Sequence, residues 1–330
     1  MACPEYATLN NGAKMPLLGY GTWQAKEGEL EDALEEALCA GYRHIDTAAA
    51  YENEAVIGKL IKERWMDSDN LTRDELFMVT KLPLPGVRPG GPEKWLKRSL
   101  AALQMDYVDV YLVHAPFAFD AVGDDLHPKG PDGKLLVSPD ADLVAVWREM
   151  EAQVDAGRAK AIGISNFNQR QIQQILDVCR IKPANLQVEL HVYMQQRPLV
   201  EFCKKNDIVV TAYSPIGTPG TGTLAAKQGF NIQMPDLISN PVVAKVAAKY
   251  NKKPAQILLK HIVQRGIAAI PKSTNQDRII QNIQLFDFTL SPEDVAELDA
   301  LDQGKDGRIL DFLFLGITKD HVMYPFNEYP

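Results

Sequence analysis

The sequence predicts an α/β protein, a single (β/α)8 TIM barrel occupying residues 1–330 as one domain. Three observations carry that prediction. Eight short, buried-looking apolar runs recur along the chain with amphipathic helical patterns between them. No stretch rich in Pro, Gly or Ser is long enough to act as a linker between separate domains. No period of 20–50 residues repeats in the sequence, so the repetition is one of structure. A closed parallel barrel satisfies all three better than an open sheet does.

The elements follow in order. Asn10-Asn11-Gly12, between Ala7-Thr8-Leu9 and Ala13-Lys14-Met15, reads as a β-hairpin. Strands are predicted at 17–21, 43–46, 77–81, 108–114, 161–165, 186–189, 208–213 and 267–271. Helical periodicity marks 29–40, 92–103, 143–156, 169–179 and 254–264. Residues 117–139 read as a long polar loop after the fourth strand, and 215–240 as an irregular stretch after the seventh. The tail, 304–330, has weak helical signal but carries Phe312, Phe314, Tyr324 and Phe326. In a barrel these loops and the tail crowd the C-terminal ends of the strands, where such folds build active sites.

The composition narrows the function. With 46% hydrophobic and 24% charged residues, and a mean hydropathy of -0.19, the chain has the make-up of a soluble globular protein. A net charge of -8 and a pI near 5.4 argue against nucleic acid and against anionic membrane surfaces as partners. No apolar run approaches the length that spans a bilayer. The N-terminal residues lack a basic start followed by an apolar run, so no signal peptide is expected. Cys3, Cys39, Cys179 and Cys203 show no metal or redox spacing, which favours a reduced cytosolic protein over one with two disulfides. A cytoplasmic monomer acting on a small molecule is the expectation.

Four ionisable residues fall at or just beyond predicted strand ends: Asp46, Tyr51, Lys81 and His114. Each alone has a plain explanation, as a helix cap, a packed ring, a solvated charge or a satisfied histidine. Together they make an apparatus for protonating a developing alkoxide. A lysine beside a phenol favours phenolate and lowers the tyrosine pKa. A carboxylate beside that lysine holds it charged and in place. A histidine can donate to a carbonyl oxygen and orient it.

The run from Tyr42 to Tyr51, YRHIDTAAAY, followed by Glu52-Asn53-Glu54, resembles the aldo-keto reductase motif GYRHIDTAxxYxNE. Further similar stretches occur in order at Gly163-Ile164-Ser165-Asn166-Phe167, Leu186-Gln187-Val188-Glu189, Ala212-Tyr213-Ser214-Pro215 and Ile270-Pro271-Lys272-Ser273, with Tyr324-Pro325-Phe326 near the end. The likeness, aldose reductase-like in kind, implies a catalytic tetrad. Tyr51 would be the general acid, Lys81 its partner, Asp46 the partner of Lys81, and His114 the carbonyl-orienting group.

The resemblance also implies NADP(H). Ser165, Asn166 and Gln187 would meet the nicotinamide carboxamide, and Tyr213 would stack on its ring. Ser214, Pro215, Ile216, Gly217 and Thr218 would follow the pyrophosphate, with Leu224 in a loop folded over it. Lys272, Ser273, Thr274 and Arg278 would hold the 2′-phosphate after Pro271, with Gln281 and Asn282 at the adenine. Gly21, Thr22, Trp23 and Asp46 complete the implied cofactor set. Two cations and hydroxyls suit a dianionic phosphate, whereas a ribose diol would want a carboxylate. The string Gly220–Ala225 fits G-x-G-x-x-A, but no strand ending in an acid follows it, so a Rossmann reading fails.

Two departures from the family pattern bear on specificity. Members usually carry an aromatic residue after the catalytic histidine and often a tryptophan two residues after the lysine; Ala115 and Pro83 stand there. Trp23, Tyr51, Pro83, His114, Ala115, Phe117 and Phe312 form the expected substrate pocket, with Phe119 and Phe314 as further lining. A wider, apolar cleft suits a bulky hydrophobic or steroid-type carbonyl, including dehydroecdysone as in some insect relatives. The family's charged latch over the pyrophosphate is replaced by Gln24 and Gly220, which predicts faster cofactor release.

A catalytically idle family member is the main rival, and the intact tetrad weighs against it. No tyrosine has a lysine four residues later, which removes a short-chain dehydrogenase. His44, His114, His127, His191, His261 and His321 show neither H-x-H nor H-E-x-x-H, so no metal is expected.

Overall fold

A computed structural model describes residues 6–25, 27–218 and 235–327. The chain enters through the predicted hairpin, β1 (Tyr6–Thr8) and β2 (Lys14–Pro16). Gly12 makes the turn possible, since its φ of 87° is readily adopted only without a Cβ. Asn10 and Asn11 donate to the carbonyls of Pro183 and Lys160, which precede and begin later barrel strands. The hairpin therefore caps the N-terminal end of the barrel.

All eight predicted runs form parallel strands: β3 (Gly19–Gly21), β4 (His44–Asp46), β5 (Phe77–Leu82), β6 (Val108–Val113), β7 (Ala159–Ser165), β8 (Asn185–Glu189), β9 (Val209–Tyr213) and β10 (Ala268–Ala269). They pair in chain order, and a parallel bridge between Leu18 and Ala269 joins the last strand to the first. This is the (β/α)8 TIM barrel expected from the sequence. Its register matters for chemistry: Gly21 pairs with Asp46, Lys81 with Leu112, and Ser165 with Gln187. Residues from separate strands thus reach the same rim.

The helices are α1 (Glu27–Ala40), α2 (Glu54–Leu60), α3 (Gly91–Leu103), α4 (Leu143–Asp155), α5 (Gln169–Leu176), α6 (Arg197–Lys205), α7 (Pro241–Tyr250), α8 (Pro254–Val263), α9 (Gln276–Ile283) and α10 (Pro292–Asp299). Five of these match predicted helices. The others, α2, α6, α7, α9 and α10, are short. Three of them owe their starts to Asn240, Asn275 and Ser291, whose side chains accept the first free N–H groups. Among the described residues no helix is long and apolar enough to cross a membrane.

Two expectations need adjustment. The last strand is only Ala268–Ala269, because Pro271 offers no N–H to continue the ladder. The loop at 117–139 is not polar throughout: Phe117 and Phe119 are buried, and a small apolar cluster joins them to Leu84, Ala115, Ile317 and Tyr324. Within 215–240, residues 219–234 lie outside the described residues, including Gly220 and Leu224.

Candidate active site

At the C-terminal rim, β4 ends on Asp46 and β5 carries Lys81 near its end. Lys81 is fully buried, a position tolerable only because its ammonium is matched by a carboxylate and hydrogen bonds. Its three N–H groups go to Asp46 Oδ1 at 2.6 Å, the Thr47 carbonyl at 2.8 Å and the Tyr51 hydroxyl at 3.3 Å. Asp46 Oδ2 accepts from Gln187 at 2.7 Å. Tyr51 ends a one-turn helix, Ala49–Tyr51, and its ring meets that of His114 edge-on, with centroids 5.8 Å apart. The four residues singled out in the sequence therefore stand together.

The electrostatics differ from the simple expectation in one respect. Burial, and then the Asp46 carboxylate, push the Tyr51 phenol well above its ordinary pKa rather than below it. Burial pulls Lys81 down while Asp46 holds it up. The lysine sits 2.6 Å from Asp46 and only 3.3 Å from the phenol, so its field is largely neutralised before it reaches the ring. His114 is driven down to about 3 by burial and by Lys81, which leaves a neutral imidazole at physiological pH.

A residue that sequence reasoning left out of the site ties its loops together. Asn53 accepts from Thr47 Oγ1 at 2.9 Å and donates to the Thr22 carbonyl at 2.9 Å, while Thr22 Oγ1 donates to the Asp46 carbonyl. Its only signal was membership of the Glu52-Asn53-Glu54 run.

A cavity of about 880 Å³ opens beside this corner and extends to α9. Gly21, Thr22, Trp23, Ser165, Asn166, Gln187 and Tyr213 line it near the tetrad. Asn166 donates to the His114 carbonyl and to Ser165 Oγ and accepts from Tyr213, so it sits locked in a left-handed backbone with φ 63°. Ser214 and Thr218, at φ 51° and 46°, are also left-handed and line the next stretch with Pro215 and Ile216. Thr218 Oγ1 is buried with no partner among the described residues. Gly217 lies behind this wall, against Leu237.

At the far end lie Pro271, Lys272, Ser273, Thr274, Arg278, Gln281 and Asn282. Among the described residues no carboxylate forms an ion pair with Lys272 or Arg278, and burial lowers the Lys272 pKa. Two cations, hydroxyls and the start of α9 meet here, an arrangement fitted to a phosphate. Lys253, just before α8, also lines the cavity, a residue that sequence reasoning did not mark.

Opposite the cofactor-like channel the wall is apolar. Ala115, Phe117, Phe119, Phe312 and Phe314 line it as expected, joined by Leu84, Leu310 and Leu315, which sequence reasoning did not mark. Phe312 packs on Phe117 at 5.9 Å and on Phe326 at 5.3 Å between ring centroids. Pro83 is a correction: it is buried at the start of a helical turn and does not line the cavity, so Leu84 takes the place expected for it.

Comparison with known proteins agrees with this geometry. The aldo/keto reductase family profile matches residues 17–303. Aldo-keto reductase family 1 member A1 of Gallus gallus is 42% identical over 330 residues, with 98% of each chain covered. The Homo sapiens protein of the same name is 42% identical over 326 residues, with 97% of each covered. The aldose reductase from Schistosoma japonicum has a similar fold, with a TM-score of 0.88 at 38% identity, over 99% of this chain and 100% of that one. A closed barrel, an Asp–Lys–Tyr–His corner built on a buried Asp–Lys pair and a likeness running the length of the chain lead to one conclusion: the chain belongs to the aldo/keto reductase family of NADP(H)-dependent oxidoreductases.

Proposed function

We propose that the protein reduces aldehydes or ketones to alcohols, with Tyr51 as proton donor. When bound along the cavity, NADPH would supply the hydride taken by the carbonyl carbon. The chain's own residues do the rest. His114, neutral, donates to the carbonyl oxygen and holds it beside the Tyr51 hydroxyl. The observation that carries the proposal is the saturation of Lys81: its third N–H is directed at the Tyr51 oxygen, leaving the phenolic proton free to face the cavity. As that proton departs, the phenolate forms next to an ammonium already in place.

Ser165, Asn166, Gln187 and Tyr213 would hold the nicotinamide, the 214–218 segment the pyrophosphate, and Lys272, Ser273 and Arg278 the 2′-phosphate. Residues 1–330 would work as one barrel domain, a reading supported by the family match over 17–303. The apolar wall supports a bulky hydrophobic or steroid-type carbonyl as substrate.

The test is a panel of sugars, small aldehydes, long apolar aldehydes and steroid ketones, run with NADPH and NADH and followed by loss of reduced-cofactor absorbance. Turnover of 4-nitrobenzaldehyde excludes an idle protein. A higher kcat/KM for glyceraldehyde or a hexose than for apolar ketones would overturn the substrate class. Arg278→Ala should weaken NADPH binding by about ten- to a hundredfold while leaving NADH nearly unchanged, the loss expected for a hydrogen bond to a charged group.

A further inference from the structure

The tail that walls the cavity is not merely laid on the barrel; its stem is held by one buried carboxylate. Glu189, the last residue of β8, is fully buried. Its Oε1 accepts from the backbone N–H of Ile309 at 2.6 Å, and its Oε2 from that of Leu310 at 2.8 Å. His191 Nε2 lies 3.0 Å from Oε1. With Oε1 acting as acceptor, that nitrogen carries the hydrogen, which agrees with an Nδ1 that has no partner among the described residues.

The rest of the stem docks on the same loop. Gln303 N–H donates to the Tyr193 carbonyl at 2.9 Å, and Asp302 accepts from Gln195 N–H at 3.2 Å. Gly307 lies so close that a Cβ there would stand 2.1 Å from the Tyr193 oxygen. Immediately beyond the Glu189 grip, Leu310 and then Phe312 enter the apolar wall. Phe312 does so at φ 65°, a strained backbone that needs fixed neighbours.

We propose that Glu189 is a specificity-determining positioning residue: by fixing the Ile309 and Leu310 amides it sets where Leu310 and Phe312 stand, and thereby which carbonyl substrates fit. The proposal rests on the apolar-substrate reading above. Glu189 touches neither the reacting atoms nor the tetrad by hydrogen bond. Its effect should appear as a KM that rises for substrates long enough to reach the tail and stays put for those that are not.

Glu189→Gln keeps the shape but turns one oxygen into an N–H2 group that faces a backbone N–H, so one buried amide loses its acceptor. With a bulky apolar ketone, KM should rise about tenfold, and with propanal kcat and KM should stay within about twofold, as expected when one hydrogen bond is lost from a wall only the larger substrate touches. NADPH affinity, read by quenching of protein fluorescence, should stay within about twofold on the same ground. Gly307→Ala displaces the stem without altering Glu189 and should give the same pattern; it decides the matter if Glu189→Gln does not fold. In a Phe312→Ala background Glu189→Gln should add little, because both act through one wall.

Equal losses for both substrates, a parallel loss of NADPH affinity, or an unchanged bulky-substrate KM in both stem variants would overturn the proposal. If Phe312→Ala itself leaves the bulky substrate unaffected, the apolar-substrate reading falls and this inference with it. If Phe312→Ala raises that KM and the stem variants do not, the inference alone fails.

Discussion

The tetrad corner and the apolar wall face each other across one cavity, yet they are built by opposite means. The corner stands on strand ends, and its charged groups are buried and paired; Lys81 and Asp46 expose almost nothing to water. The wall comes from the 117–139 loop and the tail, and its centre, Phe312, sits in a left-handed backbone. Chemistry that must be repeated on every substrate is fixed by the barrel, where neighbouring strands leave no slack. On the proposed reading, substrate choice falls to segments whose attachment can change without disturbing the barrel.

That contrast can be broken at its strongest point first. Tyr51→Phe removes the proposed proton donor and little volume, so kcat should fall by about 10²–10⁴-fold with cofactor affinity retained. Single-turnover rates with NADPH would check it; a loss below tenfold would mean that another group supplies the proton. Lys81→Met should cost both activity and stability. It leaves the Asp46 carboxylate buried without its cation, for which about 3–5 kcal/mol is the usual cost. Urea unfolding would measure this, and a loss under about 1 kcal/mol would show the corner to be less rigid than its hydrogen bonds imply.

On the wall, changes should sort substrates instead of stopping catalysis. Ala115→Trp fills the space beside His114, and should lower kcat/KM for a bulky apolar ketone by about tenfold while sparing a small aldehyde, since a large ring occupies the room the ketone needs. Parallel kinetics on the two substrates would test it, and equal losses would place Ala115 within the chemistry.

The corner should also respond to pH. His114 has a folded pKa of about 3 against an ordinary 6.5. Between those values the unfolded chain binds a proton that the folded one refuses, so stability should fall as pH drops from about 6.5 toward about 3. In His114→Gln, which does not titrate, that decline should be shallower. Denaturant midpoints across this range decide it, and parallel slopes would mean the histidine is not held neutral by the fold.

How much of this was legible depends on the distance over which each feature is specified. Runs such as Val108–Val113 announce strands because a sheet buried on both faces needs apolar residues throughout. The tetrad was legible through its motif and its strand-end positions. Short helices such as α6, in which only Leu199 and Cys203 are buried, present too narrow an apolar face to stand out. Leu84 displaced Pro83 from the wall because the backbone turns into a short helix there, a local geometry that residue type does not dictate. Glu189 looked like one more letter of a family stretch. Its partners, Ile309 and Leu310, lie far along the chain, and no local pattern links them. The pKa of Tyr51 was misjudged for a related reason: it depends on burial and on which neighbour Lys81 approaches more closely.

The bridge between Leu18 and Ala269 has a consequence of a different kind. It joins β3, with three residues, to β10, with two, so the circle is sewn shut where its strands are short. Gly21 on one side of that seam and Pro271 and Lys272 on the other both border the channel proposed for NADPH. A cofactor lying there spans the seam like a clasp. Saturating the protein with it should then delay unfolding beyond what the empty barrel withstands, as any ligand exclusive to the folded state does. Supply of the reductant would thereby govern how long the enzyme lasts as well as how fast it works.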